Sequence, residues 1–288
     1  MSGSDPESLL VIGAGYIGFE AALEARKKGY QVYALARSEQ KKQALQNEGI
    51  IPVCGDLTIP ETLPEFPSVH RVLFCAAPDG HTEGDYENIY VKGLQAVLER
   101  LTRADQILWI SSTSVWGEGV QGVVDESVVP SPREAKAKLL LEAERQVLSS
   151  RFPAMVLRLS GIYGPRRNRL AAFREGRWPE PQTPLRYVNL IHREDIVGAV
   201  DFLFDRGEPG EVYIGTDSEP MLNREIARWL SVQFPRALPL PSFSGEEPAG
   251  KRCSSFKLQA MGFSFRYPSF REGYCGLIAA YERTHEFP

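Results

Sequence analysis

Apolar positions in the first half of the chain alternate between two rhythms. Leu9-Leu10-Val11-Ile12 is a short unbroken apolar run, the pattern of a strand buried on both faces. Residues 19–28 then carry helix formers and stop at Gly29, which predicts a helix with a glycine end. Residues 31–36 predict a second strand, 39–48 a second helix closed by Gly49, and Ile51-Pro52-Val53-Cys54 a third strand. Further strands are predicted over 71–75, 106–110 and 154–158, with amphipathic helices over 86–103 and 133–149. Strand–helix alternation of this kind implies a doubly wound parallel sheet with helices on both faces.

After residue 160 the rhythm loosens and proline becomes frequent, at Pro165, Pro179, Pro181 and Pro184 and again at Pro235, Pro239, Pro241 and Pro248. Short elements are still predicted: strands over 187–191 and 211–214, helices over 193–204 and 223–234. The division expected is a core over 8–160, to which 185–205 returns, and a small substrate lobe made of 161–184 and 206–288.

The loop after the first strand, Gly13-Ala14-Gly15-Tyr16-Ile17-Gly18, is GxGxxG placed between a strand and a helix. In that context the first glycine serves a tight turn and the second lets a pyrophosphate approach the backbone. The third lets helix and strand pack closely. The free N–H groups of the helix start, near Tyr16 and Ile17, suit the phosphates. The pattern therefore predicts a Rossmann-type α/β fold that binds a nicotinamide dinucleotide. The second strand ends in Arg37-Ser38 where NAD binders carry an acid, so a 2′-phosphate and NADP(H) are favoured. NAD(H) is the alternative, because Glu39 is close enough to reach back. Asp56 and Leu57 after the third strand, and the small Ala76 and Ala77 after the fourth, are the other expected cofactor contacts.

Composition narrows the partners. The 288 residues are 43% hydrophobic and 24% charged with a net charge of −4, which gives no reason to expect nucleic acid or an anionic membrane. No apolar run approaches the roughly 20 residues of a membrane span, and the polar start lacks a signal-peptide pattern. The four scattered cysteines, Cys54, Cys75, Cys253 and Cys275, form no CxxC and suit a reducing compartment, so the expectations are a cytoplasmic location and no metal site.

Several segments, in order, resemble the extended and atypical short-chain dehydrogenases/reductases, the superfamily that includes nucleotide-sugar epimerases and dehydratases. They are Gly55-Asp56-Leu57, Ser111-Ser112-Thr113-Ser114-Val115-Trp116-Gly117, Asp125-Glu126, the K-x-x-x-E of Lys138 to Glu142, Arg158 to Pro165, and His192-Arg193-Glu194-Asp195. The resemblance implies that Lys138 binds the nicotinamide ribose and that Ser112, or Thr113 in a shifted register, orients the substrate oxygen. The tyrosine of the family's Tyr-x-x-x-Lys is absent, and Glu134 stands in its place. Glu134 and Tyr163 are then the candidates for proton transfer. The activity implied is an oxidoreductase or epimerase-like reaction on a small carbonyl, hydroxyl or sugar-like substrate. The lost tyrosine also suits a non-catalytic NADP(H) sensor. The resemblance further implies a homodimer paired through helices 86–103 and 133–149.

Overall fold

The structure, a computed structural model, describes residues 6–177, 183–233 and 243–284. Pro179, Pro181, Pro235, Pro239 and Pro241 lie outside the described residues. The chain runs β1 (Ser8–Ile12), α1 (Gly18–Lys27), β2 (Gln31–Ala36), α2 (Glu39–Asn47), β3 (Ile51–Cys54) and β4 (Val69–Phe74). Next come α3 (Glu83–Tyr86), a π-helical stretch Glu87–Gly93, α4 (Leu94–Arg100), β5 (Ala104–Ser112), β6 (Gly122–Val124), α5 (Ala135–Leu148) and β7 (Ala154–Leu159). The remainder is β8 (Gly161–Tyr163), α6 (Leu170–Arg174), β9 (Thr183–Val188), β10 (Leu190–His192), α7 (Arg193–Arg206), β11 (Val212–Gly215) and β12 (Met221–Leu222). After these come α8 (Asn223–Gln233), β13 (Phe243–Ala249), β14 (Lys251–Cys253), α9 (Phe256–Ala260) and α10 (Phe270–Thr284).

Seven strands form one sheet in the order β11-β7-β5-β4-β1-β2-β3. β1 pairs in parallel with both β2 and β4, β2 with β3, and β4 with β5. This is the 3-2-1-4-5 succession of a Rossmann sheet, as the alternating pattern implied. β1 is buried along its whole length because helices cover both faces, which is why its sequence is a continuous apolar run. The core it joins includes Leu10, Ile12, Phe74, Ile107 and Trp109, with the Phe74 and Trp109 rings 4.4 Å apart.

Two elements differ from expectation. The helix expected over 86–103 starts earlier, because Thr82 and Asp85 form a capping box, and it ends at Arg100. Its middle is π-helical, and a side chain on Gly93 would press into Asn88 and Leu57 backbone oxygens at 2.9 and 3.2 Å, so this glycine brings the helix close to the turn after β3. The strand expected over 187–191 is two strands, β9 and β10, broken at Asn189. The Asn189 side chain bonds Lys251 O and Cys253 N instead of continuing a ladder.

The chain divides into two compact units. The first comprises Met1–Gly117, Pro130–Arg158 and Val197–Tyr213; the second comprises Glu118–Val129, Leu159–Ile196 and Ile214–Pro288. The segment returning to the core is therefore Val197–Tyr213 rather than 185–205, and Glu118–Val129 belongs with the second unit. The second unit holds the parallel pair β8–β10, the β12-β9-β13 sheet and the β6–β14 pair. Its own core contains Leu170, Phe173, Ile226, Leu230, Phe270 and Tyr274.

Candidate functional site

The glycine loop leaves β1 at Gly13, whose φ of +99° suits only glycine. A side chain there would overlap the Ala76 backbone, so the loop presses against the strand end next door. Gly18 opens α1 so close to β1 that a side chain would overlap Gly13 O and the Cys75 thiol. Cys75 itself donates to Gly13 O at 3.1 Å, and burial pushes its thiol up to about 12, so it stays neutral as packing. At Gly15 nothing lies within 4 Å of where a side chain would stand. The three glycines thus divide their work: Gly13 and Gly18 permit close packing and Gly15 leaves an open face. Ile17 is buried and Tyr16 is half-buried beside that face.

Arg37 and Ser38 follow β2. Ser38 caps α2 by accepting from Lys41 N at 3.2 Å, so its hydroxyl serves the helix start. Arg37 meets Asp79, on the loop after β4, at 2.6 Å, with both side chains largely exposed. Asp56 makes an Asx turn, accepting from Thr58 N and Thr58 Oγ1 at 2.8 Å each. Leu57 is buried beneath it and packs on Gly93. Ala76 is half-buried at the end of β4 and Ala77 is exposed. These small side chains leave the edge beside Gly13 low.

β5 carries the hydroxyls. Ser111 is buried and donates to Glu144 at 2.6 Å. Glu144 in turn receives Arg158 in a two-pronged pair at 3.0 and 2.7 Å, and the Arg158 guanidinium lies over Trp116. All these groups are in the first unit. The next residue, Ser112, is half-buried, and its Oγ accepts from Ser114 N at 3.1 Å. Its hydroxyl hydrogen therefore remains available to an oxygen outside. Thr113 is buried, so Ser112 is the hydroxyl this edge presents.

The buried Glu144 fixes the register of α5. Its inward face is Ala137, Leu140, Ala143, Glu144 and Val147. Lys138 lies about 160° around the helix from Leu140 and is exposed, as is Glu142 four residues on. The acid of this helix that meets Arg158 is thus Glu144, two residues beyond the apparent K-x-x-x-E. The half-buried lysine is Lys136, whose ammonium lies 5.4 Å from the centre of the Tyr86 ring. Tyr86 meets Tyr90 edge-on, and Tyr90 meets Trp109 of β5. Glu134 is the exposed N-cap residue of α5, its carboxylate against Gly117 and accepting from Arg133 N at 3.2 Å.

Tyr163 lies elsewhere, in the core of the second unit, 2% exposed. Its ring stacks on Tyr274 and meets His192 edge-on, and its hydroxyl abuts Gly273. Burial raises its phenol well above the usual range. His192 is buried, with Nδ1 accepting from Glu194 N, and Asp195 ties the chain at Arg266 N and Tyr267 N. Among the described residues no group of three or more His, Cys, Asp or Glu side chains is placed to hold a metal, and no helix is long and apolar enough to cross a membrane.

The glycine loop, Arg37 and Ser112, expected from the sequence, stand at the ends of β1, β2 and β5. The sequence did not single out Glu144 or Asp79, and it set Lys136 behind Lys138 as the motif lysine because Pro132, four residues before Lys136, is no better a proton donor than Glu134. The inward spacing of Ala137, Leu140 and Ala143 was the available signal for Glu144 and Lys136; nothing local marked Asp79.

Sheet order, glycine loop and strand-end hydroxyl together define a Rossmann-type dinucleotide-binding protein. The chain belongs to the NAD dependent epimerase/dehydratase family, whose model matches residues 9–215. Protein YeeZ of Escherichia coli (strain K12) is 25% identical over 274 residues, covering 91% of this chain and 97% of that protein. A solved structure from Methylobacillus flagellatus, described as a candidate NAD-dependent epimerase/dehydratase, is 30% identical. Its TM-score is 0.79, over 96% of this chain and 99% of that one. The dTDP-glucose 4,6-dehydratase of Bacillus anthracis, solved with NAD, shares the fold at 18% identity and TM-score 0.76, over 98% of each chain.

Proposed function

We propose that this chain binds NADP(H) and acts as an oxidoreductase or epimerase-like enzyme on a small carbonyl, hydroxyl or sugar-like substrate. The observation that carries the reading is the glycine cradle: packed at Gly13 and Gly18, open at Gly15, with a guanidinium at the adjoining strand end. Gly13 to Gly18 would hold the pyrophosphate, and Arg37 the 2′-phosphate. Asp56, Ala76 and Ala77 would border the cofactor, with Tyr16 and Ile17 supplying the helix start. When bound, the nicotinamide supplies or accepts a hydride.

Ser112 would donate its hydroxyl hydrogen to the substrate oxygen and orient it. Lys136 is the ammonium we assign to proton transfer, because it is the α5 lysine held on an inner flank. In the reducing direction it gives a proton to the oxygen as the carbon takes up hydride. A carbonyl becomes a hydroxyl, and water re-protonates Lys136. We assign no proton transfer to Lys138 or Glu134, which are exposed, or to Tyr163, which is enclosed. The free state of Cys54, Cys75, Cys253 and Cys275 supports a cytoplasmic setting, and the outer face of α5 is our choice for a homodimer contact.

The test is a fluorescence titration with NADPH and NADH on wild type, Arg37→Ala and Gly15→Val. Wild type should prefer NADPH, Arg37→Ala should lose that preference, and Gly15→Val should melt like wild type yet bind neither. NADH bound as tightly as NADPH, indifferent to Arg37, would overturn the NADP assignment. A second reading, a redox sensor without turnover, draws on the missing tyrosine and the outward Lys138. Tight binding with no hydride transfer across a panel of carbonyls would favour it.

A further inference from the structure

The ion pair between Arg37 and Asp79 joins two places that the sheet holds apart. Arg37 directly follows Ala36, the last residue of β2, and Asp79 lies five residues past Phe74, the last residue of β4. β1 runs between those strands. Its register sets Ile12 beside Phe74, and Val11 beside Ala34. Gly13 therefore leaves β1 level with the ends of both neighbours. A link from the end of β2 to the loop after β4 reaches across two strand spacings, roughly 10 Å. It passes over the strand end from which the glycine loop starts.

The Asp79 loop is short and tied at its far end, where Thr82 N donates to Asp85 Oδ2 at 2.9 Å and Asp85 N to Thr82 Oγ1 at 3.2 Å in the capping box. Asp79 is thus held near its place, while its carboxylate stays 74% exposed and Arg37 57% exposed. Pairs this open exchange partners readily, since each ion is still well hydrated. Arg37 also feels the charge of Asp56 beyond β3. Arg37 is thus paired with one carboxylate and feels the charge of a second.

We propose that Asp79 is a specificity-determining residue: a carboxylate latch that occupies Arg37 in the free protein and yields it only to the 2′-phosphate of NADP(H). The inference rests on the cofactor reading above. A 2′-phosphate offers the guanidinium a stronger, two-pronged partner than Asp79 does. Exchange of one anion for another leaves Arg37 paired throughout. NAD(H) carries a neutral hydroxyl at that position and does not compete for Arg37, so it binds with the latch shut. The displaced Asp79 carboxylate then stands near the phosphate and repels it, which limits how tightly NADP(H) is held.

The experiment is a titration of wild type, Asp79→Asn, Arg37→Ala and the double variant with NADPH and with NADH, in low and in high salt. Asp79→Asn should tighten NADPH about three- to tenfold at low salt and leave NADH within about twofold. The gain should shrink in high salt and vanish in the Arg37→Ala background. Weaker or unchanged NADPH binding by Asp79→Asn would overturn the latch, showing that Asp79 supports Arg37 or does nothing. A selective loss of NADH would also overturn it, making Asp79 a ribose ligand. If wild type binds neither dinucleotide, the cofactor reading itself has failed; binding with an Asp79-independent preference sinks the latch alone.

Discussion

His192 and Asp217 are buried in the second unit, and burial holds each of them neutral. Burial brings His192 down to about 4, with nearby Arg193 and Arg266 adding to the effect and Glu194 opposing it. Burial pushes Asp217 up to about 8, helped by the acids Glu219, Asp195 and Glu272 and opposed by the Glu219 N–H. The signs are opposite. As pH rises from about 4 to 6.5, the unfolded chain releases a proton from histidine that folded His192 no longer carries, so stability grows. As pH rises from about 4 to 8, the unfolded chain releases an aspartic proton that folded Asp217 retains, so stability falls. Asp217→Asn removes the second effect alone. Its melting temperature should exceed that of wild type by a margin that widens steadily between pH 4 and 8. A margin independent of pH, read by thermal melts across that range, would show that Asp217 is ionised in the fold.

At the scale of the element, α5 shows how one buried charge sets what a helix presents. Glu144 satisfies both Ser111 and Arg158, so Glu144→Ala leaves a buried guanidinium and a hydroxyl without their acceptor. The expected loss is about 3–5 kcal/mol in urea unfolding. Lys138→Ala, on the opposite face, should change stability by less than about 0.5 kcal/mol. The same helix shows where sequence reading ends. Its length was legible from apolar spacing, and so were β2 and β3, whose bounds match the structure. The glycine loop was legible because its spacing between strand and helix is local, and Gly13 and Gly18 each answer a steric demand there. The register of α5 was not, because Lys138 and Glu142 imitate a motif that depends on a partner from β7. A glutamate reads as surface until Arg158 arrives to neutralise it. Asp79 stayed hidden for a similar reason: its meaning comes from sheet order, which sets β2 and β4 on either side of β1.

For the whole molecule, the division into two units is not a division of the chain. The backbone passes between them five times, at residues 117–118, 129–130, 158–159, 196–197 and 213–214. A fragment of residues 1–117 keeps β1 to β5 but lacks α5, β7 and β11, and leaves Ser111 without Glu144. It should show no cooperative urea transition and no fixed near-ultraviolet dichroism, whereas the full chain shows both. Three of these crossings leave the first unit, one five residues past β5 and the other two within the closing residues of β7 and β11, and the chain returns from the first two of them to complete the sheet. The second unit was therefore never a module that one genetic fusion could append. It is three insertions at or near the ends of sheet strands, knitted to one another by the β6–β14 pair and the β12-β9-β13 sheet. An insertion grafted into any one of these segments must therefore keep the pairings that join it to the others, so the three entry points change together or not at all.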